Sequence, residues 1–170
     1  MGRPLSAENL KKTVHWNNPC HLIAVGFGSG LSPWMPGTVG TLAALPFWWL
    51  FASWGLLGYG MLLLVAFLLG VIVCGRVAAE WEINDPQMVV WDEFVGLWLA
   101  LWAIPALQWP WIAAGFTLFR WLDIKKPGPI GWVDRHISGG LGIMLDDVIA
   151  GGLTALLLKM AGYGWKFYSY

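Results

Sequence analysis

Apolar residues run without a charge from Leu22 to Gly75 and again from Phe94 to Phe119, and Val148 to Leu158 forms a third uncharged stretch. A bilayer core about 30 Å thick takes roughly 20 apolar residues per helical span, so the first run holds two spans. Glycine and proline mark where the elements break. The pattern predicts a short segment near Pro19 to Val25, a Gly/Pro-rich loop from Gly26 to Thr38, and a first span from Val39 to Trp54 kinked at Pro46. A turn at Gly55 to Gly60 leads to a second span, Leu62 to Gly75, and the last helix runs from Gly142 to about Trp165.

The stretch from Phe94 to Leu122 poses a choice. As one helix of about 29 residues it would be roughly 43 Å long, more than the bilayer core. Pro105 and Pro110 offer a break into two short helices, Phe94 to Ile104 and Trp111 to Leu122. A hairpin returns Asp92, Glu93 and Asp123 to one side of the membrane, whereas a single helix separates them. With the hairpin, the charged windows Arg76 to Glu93 and Arg120 to Asp147 share a face with the polar N-terminal arm, residues 1–18. Lys and Arg near span ends mark that face as cytoplasmic. Lys159 then snorkels toward the opposite interface, and the 14 tryptophans suit interfacial belts and helix packing.

Composition agrees with a membrane protein. Charged residues make up 12% of the 170-residue chain, against about 25% in soluble domains, and hydrophobic residues 58%. One domain, 1–170, is expected, with an all-α fold: a polytopic membrane helical bundle of short or kinked helices and an active site on the cytoplasmic side. The arm carries Arg3, Glu8, Lys11 and Lys12 but no apolar core of a signal peptide. Zero formal charge gives no basic surface for nucleic acid. Cys20 and Cys74 fit neither a metal spacing nor a disulfide framework.

Six carboxylates stand at the ends of apolar segments: Asp92 and Glu93 in "WDEFVG", Asp123 in "FRWLDIKKPGPI", Asp134 in "WVDRH", and Asp146 with Asp147 in "MLDDV". Ionisable groups near a bilayer are costly and commonly paired or functional. Individually they have plain explanations. Arg120, Asp123 and Lys126 could form a helical ion-pair ladder, Asp134 and Arg135 could shape a loop, and Asp92 and Glu93 could favour a helix N-terminus. Two adjacent acid pairs on separate apolar helices are harder to explain by capping alone. Convergent carboxylates repel unless a cation joins them, and Mg²⁺ uses one or two carboxylates, water and substrate phosphate.

The loop Gly26 to Thr38 could admit an anion to its backbone, with Ser29, Ser32 and Thr38 as hydroxyl donors, or could serve only close helix packing. It lacks the Gly-Lys-Ser/Thr of a P-loop. Arg120, Lys125, Lys126 and Arg135 are available for a phosphate. There is no Cys-x5-Arg loop, no Gly-x-Ser-x-Gly elbow and no DxDxT motif, and His15, His21 and His136 lack metal spacing.

Four stretches together resemble the phosphatidylglycerophosphatase A family of bacterial membrane lipid phosphatases: "GFGSGLSPWMPGTVGT", "VVWDEFVG", "FRWLDIKKPGPI" and "GGLGIMLDDVIAG". The resemblance spans about Asn18 to Gly162. It implies an all-helical inner-membrane enzyme, dependent on Mg²⁺, that removes the terminal phosphate of phosphatidylglycerophosphate within bilayer lipid. By position it implies catalytic roles for Asp92, Glu93, Asp123, Asp134, Asp146 and Asp147. All of these but Asp134 would be metal ligands, and Arg120, Lys126 and Arg135 would bind phosphate; the candidates Ser29 and Thr38 for the same role come from the glycine-rich loop and not from the resemblance. Thr41 stands where the family pattern has serine, keeping a hydroxyl. "INDPQM" replaces a histidine-containing version, which argues against a histidine ligand there. The alternatives are a transporter using the acids as a proton or cation relay, which predicts charge spread through the bundle depth, and an assembly protein whose acids all form salt bridges.

Overall fold

The computed structural model describes residues 13–104 and 106–168, with the side chains of 164–168 left aside. The charged N-terminal arm and Pro105 lie outside the described residues. Helix α1, Pro19–Ala24, opens on Asn18, whose side chain accepts the Cys20 N–H, with proline at its first turn. A 3-10 turn, Gly26–Leu31, follows with Phe27 and Gly28 in the left-handed region, and Met35, also left-handed, leads into α2, Pro36–Phe51. The Gly/Pro-rich loop is thus shorter than its sequence suggests, and α2 begins three residues before the expected span. Pro46 sits inside α2, which continues as helix through it.

Helix α3, Leu56–Glu80, and α7, Gly139–Tyr168, are the two long ones. Both contain 25-residue segments long and apolar enough to cross a membrane. Between them stand α4, Trp91–Leu101, and α5, Trp109–Lys125, the two short helices that the prolines predict. Pro110 occupies the first turn of α5, where its missing N–H costs nothing. An unanticipated short helix, α6, Pro129–His136, connects α5 to α7. Among the described residues there is no strand.

Helix α4 is the axis of the bundle. Every residue from Trp91 to Leu101 is buried except Leu99, and α7, α2, α5 and α3 all pack on it. Glycine sets the closest of these approaches. A Cβ on Gly96 would lie 2.7 Å from the Phe119 ring and 2.9 Å from the Asp147 carbonyl oxygen, and one on Gly151 would overlap the Gly96 carbonyl. Small residues at such crossings let membrane helices gain dispersion contacts that lipid cannot replace. Aromatic rings fill the rest, and some of their polar atoms find backbone partners: Trp91 Nε1 donates to Ala66 at 3.0 Å, Trp98 Nε1 to Ala44 at 3.0 Å, and the Tyr59 hydroxyl to Trp98 at 2.6 Å. Tryptophan therefore both packs the interior, as Trp48 and Trp91 do, and faces outward, as Trp34 and Trp109 do.

Candidate active site

The first turn of α4 carries Asp92 and Glu93, and Asp92 accepts the Glu93 N–H at 3.0 Å, one of the donors a helix start leaves free. Asp146 and Asp147 lie about two turns inside α7, and Asp146 likewise accepts the Asp147 N–H at 3.0 Å. Because α4 runs away from this end and α5 returns to it, Arg120 and Asp123 in the last turns of α5 meet both pairs. Lys126, left-handed at φ 43°, caps α5 and turns the chain toward α6. The hairpin reading of the sequence therefore holds.

These groups line one cavity of about 500 Å³, shared by Thr38, Asp85, Gln87, Asp92, Glu93, Arg120, Asp123, Lys126, Asp146 and Asp147. Arg120 pairs with Glu93 and, at 2.6 Å, with Asp123, while its Nε is buried without a partner. The Thr41 hydroxyl lies 2.7 Å from both Glu93 and the Gly37 carbonyl, either of which can accept its proton. Lys126 Nζ stands 2.5 Å from Asp134 and 2.6 Å from Asp146. Burial pulls the Lys126 pKa down, but the hydrogen bonds and charges of Asp134 and Asp146 outweigh it and leave it raised.

The acids still outnumber the bases. One carboxylate oxygen from each of Asp123, Asp146 and Asp147 falls within 4.8 Å of the others. Among the described residues no ion pair reaches Asp92 or Asp147, although both are buried. Unpaired carboxylates packed this closely fit a cation as their missing counter-charge, and an all-oxygen donor set suits a hard divalent ion.

Not every candidate converges. Thr38 lines the cavity, but the Ser29 hydroxyl turns back to the Gly26 carbonyl at 2.7 Å. Asp134 reaches the site through Lys126, and Arg135 is absent from the cavity wall. Sequence reasoning missed Asp85 and Gln87 in the loop before α4, and it gave Thr41 no partner. Thr41 was signalled only by polarity inside an apolar stretch, and Asp85 and Gln87 only by lying in the charged window before α4.

A family model described as phosphatidylglycerophosphatase A matches residues 22–162. A relative named phosphatidylglycerophosphatase A from Escherichia coli is 46% identical over 95% of this chain and 94% of its own length. One of the same name from Haemophilus influenzae is 43% identical over 95% of this chain and 99% of its own. A Bacteroides thetaiotaomicron relative, provisionally named phosphatidylinositol-3-phosphatase, is 40% identical over 82% of this chain and 91% of its own. No solved structure matches. With nearly the full length matched, and with the acid-lined cavity built from the matched stretches, the chain belongs to the phosphatidylglycerophosphatase A family.

Proposed function

We propose that this enzyme hydrolyses phosphatidylglycerophosphate to phosphatidylglycerol and inorganic phosphate at the cavity between α2, α4, α5 and α7. The observation that carries the proposal is the convergence of Asp92, Glu93, Asp123, Asp146 and Asp147 with Arg120 and Lys126 in one pocket. Relatives named for the reaction support the substrate. Arg120, Lys125, Lys126 and Arg135 gather near the same end of the bundle, which favours a cytoplasmic-facing site in a multi-pass inner-membrane protein.

Asp123, Asp146 and Asp147 would hold Mg²⁺, with Asp92 and Glu93 as further ligands lining the same cavity. When bound, the ion would offset phosphate charge and make a water more acidic. The first turn of α2 adds a second anion-binding feature: Gly37 and Thr38 line the cavity, and the N–H groups of a helix start lack intrahelical acceptors. Arg120 and Lys126 stabilise charge developing on the phosphoryl oxygens, and Asp134 orients Lys126. In the net reaction a water oxygen forms the new P–O bond, the ester P–O bond breaks, and the proton the water loses ends on the departing alcohol oxygen.

The test is phosphate release from vesicles containing phosphatidylglycerophosphate, with phosphatidic acid and a phosphatidylinositol phosphate as competitors. Activity that requires Mg²⁺, disappears with chelator, and prefers phosphatidylglycerophosphate supports the reading. Preference for another headgroup would refute the substrate, and full activity in chelator would refute the metal.

A further inference from the structure

The loop between α3 and α4 lends the catalytic cavity two polar side chains, Asp85 and Gln87, and its backbone holds Gln87 in place. The Val89 N–H donates to the Pro86 carbonyl at 2.8 Å, closing a tight turn with Gln87 and Met88 at its centre. Pro86, Met88 and Val89 are buried. The Val90 N–H then ties the loop to the Ala24 carbonyl at 2.8 Å, and Gly30 lies so close that a Cβ there would overlap the Met88 carbonyl. Gln87 is the exposed residue of this clamped turn, and among the described residues no hydrogen bond engages its side-chain amide. It thus presents a donor and an acceptor to the cavity from a backbone already fixed.

A cavity of about 500 Å³ is the size of a site for a whole small ligand and exceeds what one phosphate group fills. Most of its polar wall is already engaged. Arg120 and Lys126 bond to carboxylates, and Thr38 follows Gly37, which packs against Glu93 and Arg120. Asp85 borders, with Asp134 and Asp146, a second cavity of about 30 Å³. Gln87 is the one amide side chain on the wall of the catalytic cavity. The headgroup of phosphatidylglycerophosphate has one group of matching chemistry, the uncharged hydroxyl on the glycerol that joins its two phosphates. We infer that Gln87 is a specificity residue, whose amide exchanges a hydrogen bond with this hydroxyl and so separates the substrate from lipid phosphates that lack it. The inference rests on the lipid-phosphatase reading above.

Purified enzyme is assayed in mixed micelles on phosphatidylglycerophosphate and on an analogue with a propanediol bridge in place of the glycerol, which lacks only that hydroxyl. Taking the hydroxyl from the lipid or the amide from the protein breaks the same bond, so the two losses do not add. The unsubstituted enzyme prefers the natural lipid about tenfold in kcat/KM. Gln87→Met, which keeps the side-chain length, brings that preference to about one by losing activity on the natural lipid alone. A preference in Gln87→Met as large as that of the unsubstituted enzyme, or none in the unsubstituted enzyme, overturns the role of Gln87 and leaves the phosphatase reading intact. Failure of the unsubstituted enzyme to release phosphate from either lipid overturns that reading and the role of Gln87 with it.

Discussion

The Lys126 ammonium lies 2.6 Å from Asp146, and that one contact fastens the end of α5 to α7 across the mouth of the candidate site. Replacing Lys126 with Gln leaves Asp146 facing Asp123 and Asp147 without its cation. We expect kcat/KM to fall about a hundredfold, the loss typical of one preorganised charge donor. The pH sign follows from the raised pKa of Lys126. A lysine whose folded value exceeds its unfolded one contributes stability that is fully present below about pH 10 and lost only as pH rises through the folded value. Lys126 therefore adds no limb to the rate profile near neutrality, and Lys126→Arg keeps the profile shape between about pH 6 and 9. A new alkaline limb below about pH 9 in the unsubstituted enzyme, absent in Lys126→Arg, would contradict this.

Asp147 tests the metal reading from the opposite direction. It is buried, lacks an ion-pair partner among the described residues, and shares its cluster with Asp123 and Asp146. Asp147→Asn keeps the volume and removes one of several mutually repelling charges. Phosphate release should drop by about a thousandfold, whereas the unfolding temperature in detergent without divalent ions should hold or rise. Divalent ion should stabilise the parent protein more than the variant, since an ion bound only to the folded state raises its stability by mass action. Equal stabilisation of both would remove Asp147 from the ligand set.

The hairpin of α4 and α5 was legible because Pro105 and Pro110 interrupt a run too long for one span, and with it came the same-end meeting of Glu93 and Asp123. The acid pairs were legible because charge inside an apolar segment is costly enough to stand out. Other features had no such contrast. Helix α6 is short and flanked by proline and glycine, so it resembles a loop in one dimension. Asp85 and Gln87 enter the cavity because the loop folds back over it, and no periodicity encodes that return. Ser29 was misleading for a related reason: a hydroxyl beside glycines suits an anion, but it equally suits the local backbone bond it makes.

Thr41 supplies a smaller and sharper test. Its hydroxyl lies 2.7 Å from both Glu93 and the Gly37 carbonyl, so it donates to the carboxylate or closes the first turn of α2. Thr41→Val keeps the shape and deprives a buried carboxylate of a partner, a change that costs about 1–3 kcal/mol at such sites. We expect roughly tenfold lower kcat, with Thr41→Ser restoring most of it because the hydroxyl returns. Equal activity of Val and Ser variants would show that the methyl packing, and not the hydrogen bond, is what the position requires.

Gly37 carries the last prediction. It sits in the first turn of α2, where alanine would ordinarily improve the helix by about 0.5–1 kcal/mol. Here a Cβ would overlap Glu93 Oε1 and stand 3.0 Å from the Arg120 guanidinium. Glu93 has little freedom to move aside, because Thr41 and Arg120 both hold its other oxygen. Gly37→Ala should therefore leave the unfolding temperature nearly unchanged while lowering kcat about ten- to a hundredfold, as the carboxylate shifts out of register with the phosphate site. Gly60→Ala in α3 is the matched control: nothing lies within 4 Å of its Cβ, so it should gain the helix stability without losing activity. If Gly37→Ala were as active as Gly60→Ala, the placement of Glu93 beside the α2 N-terminus would have no part in the chemistry.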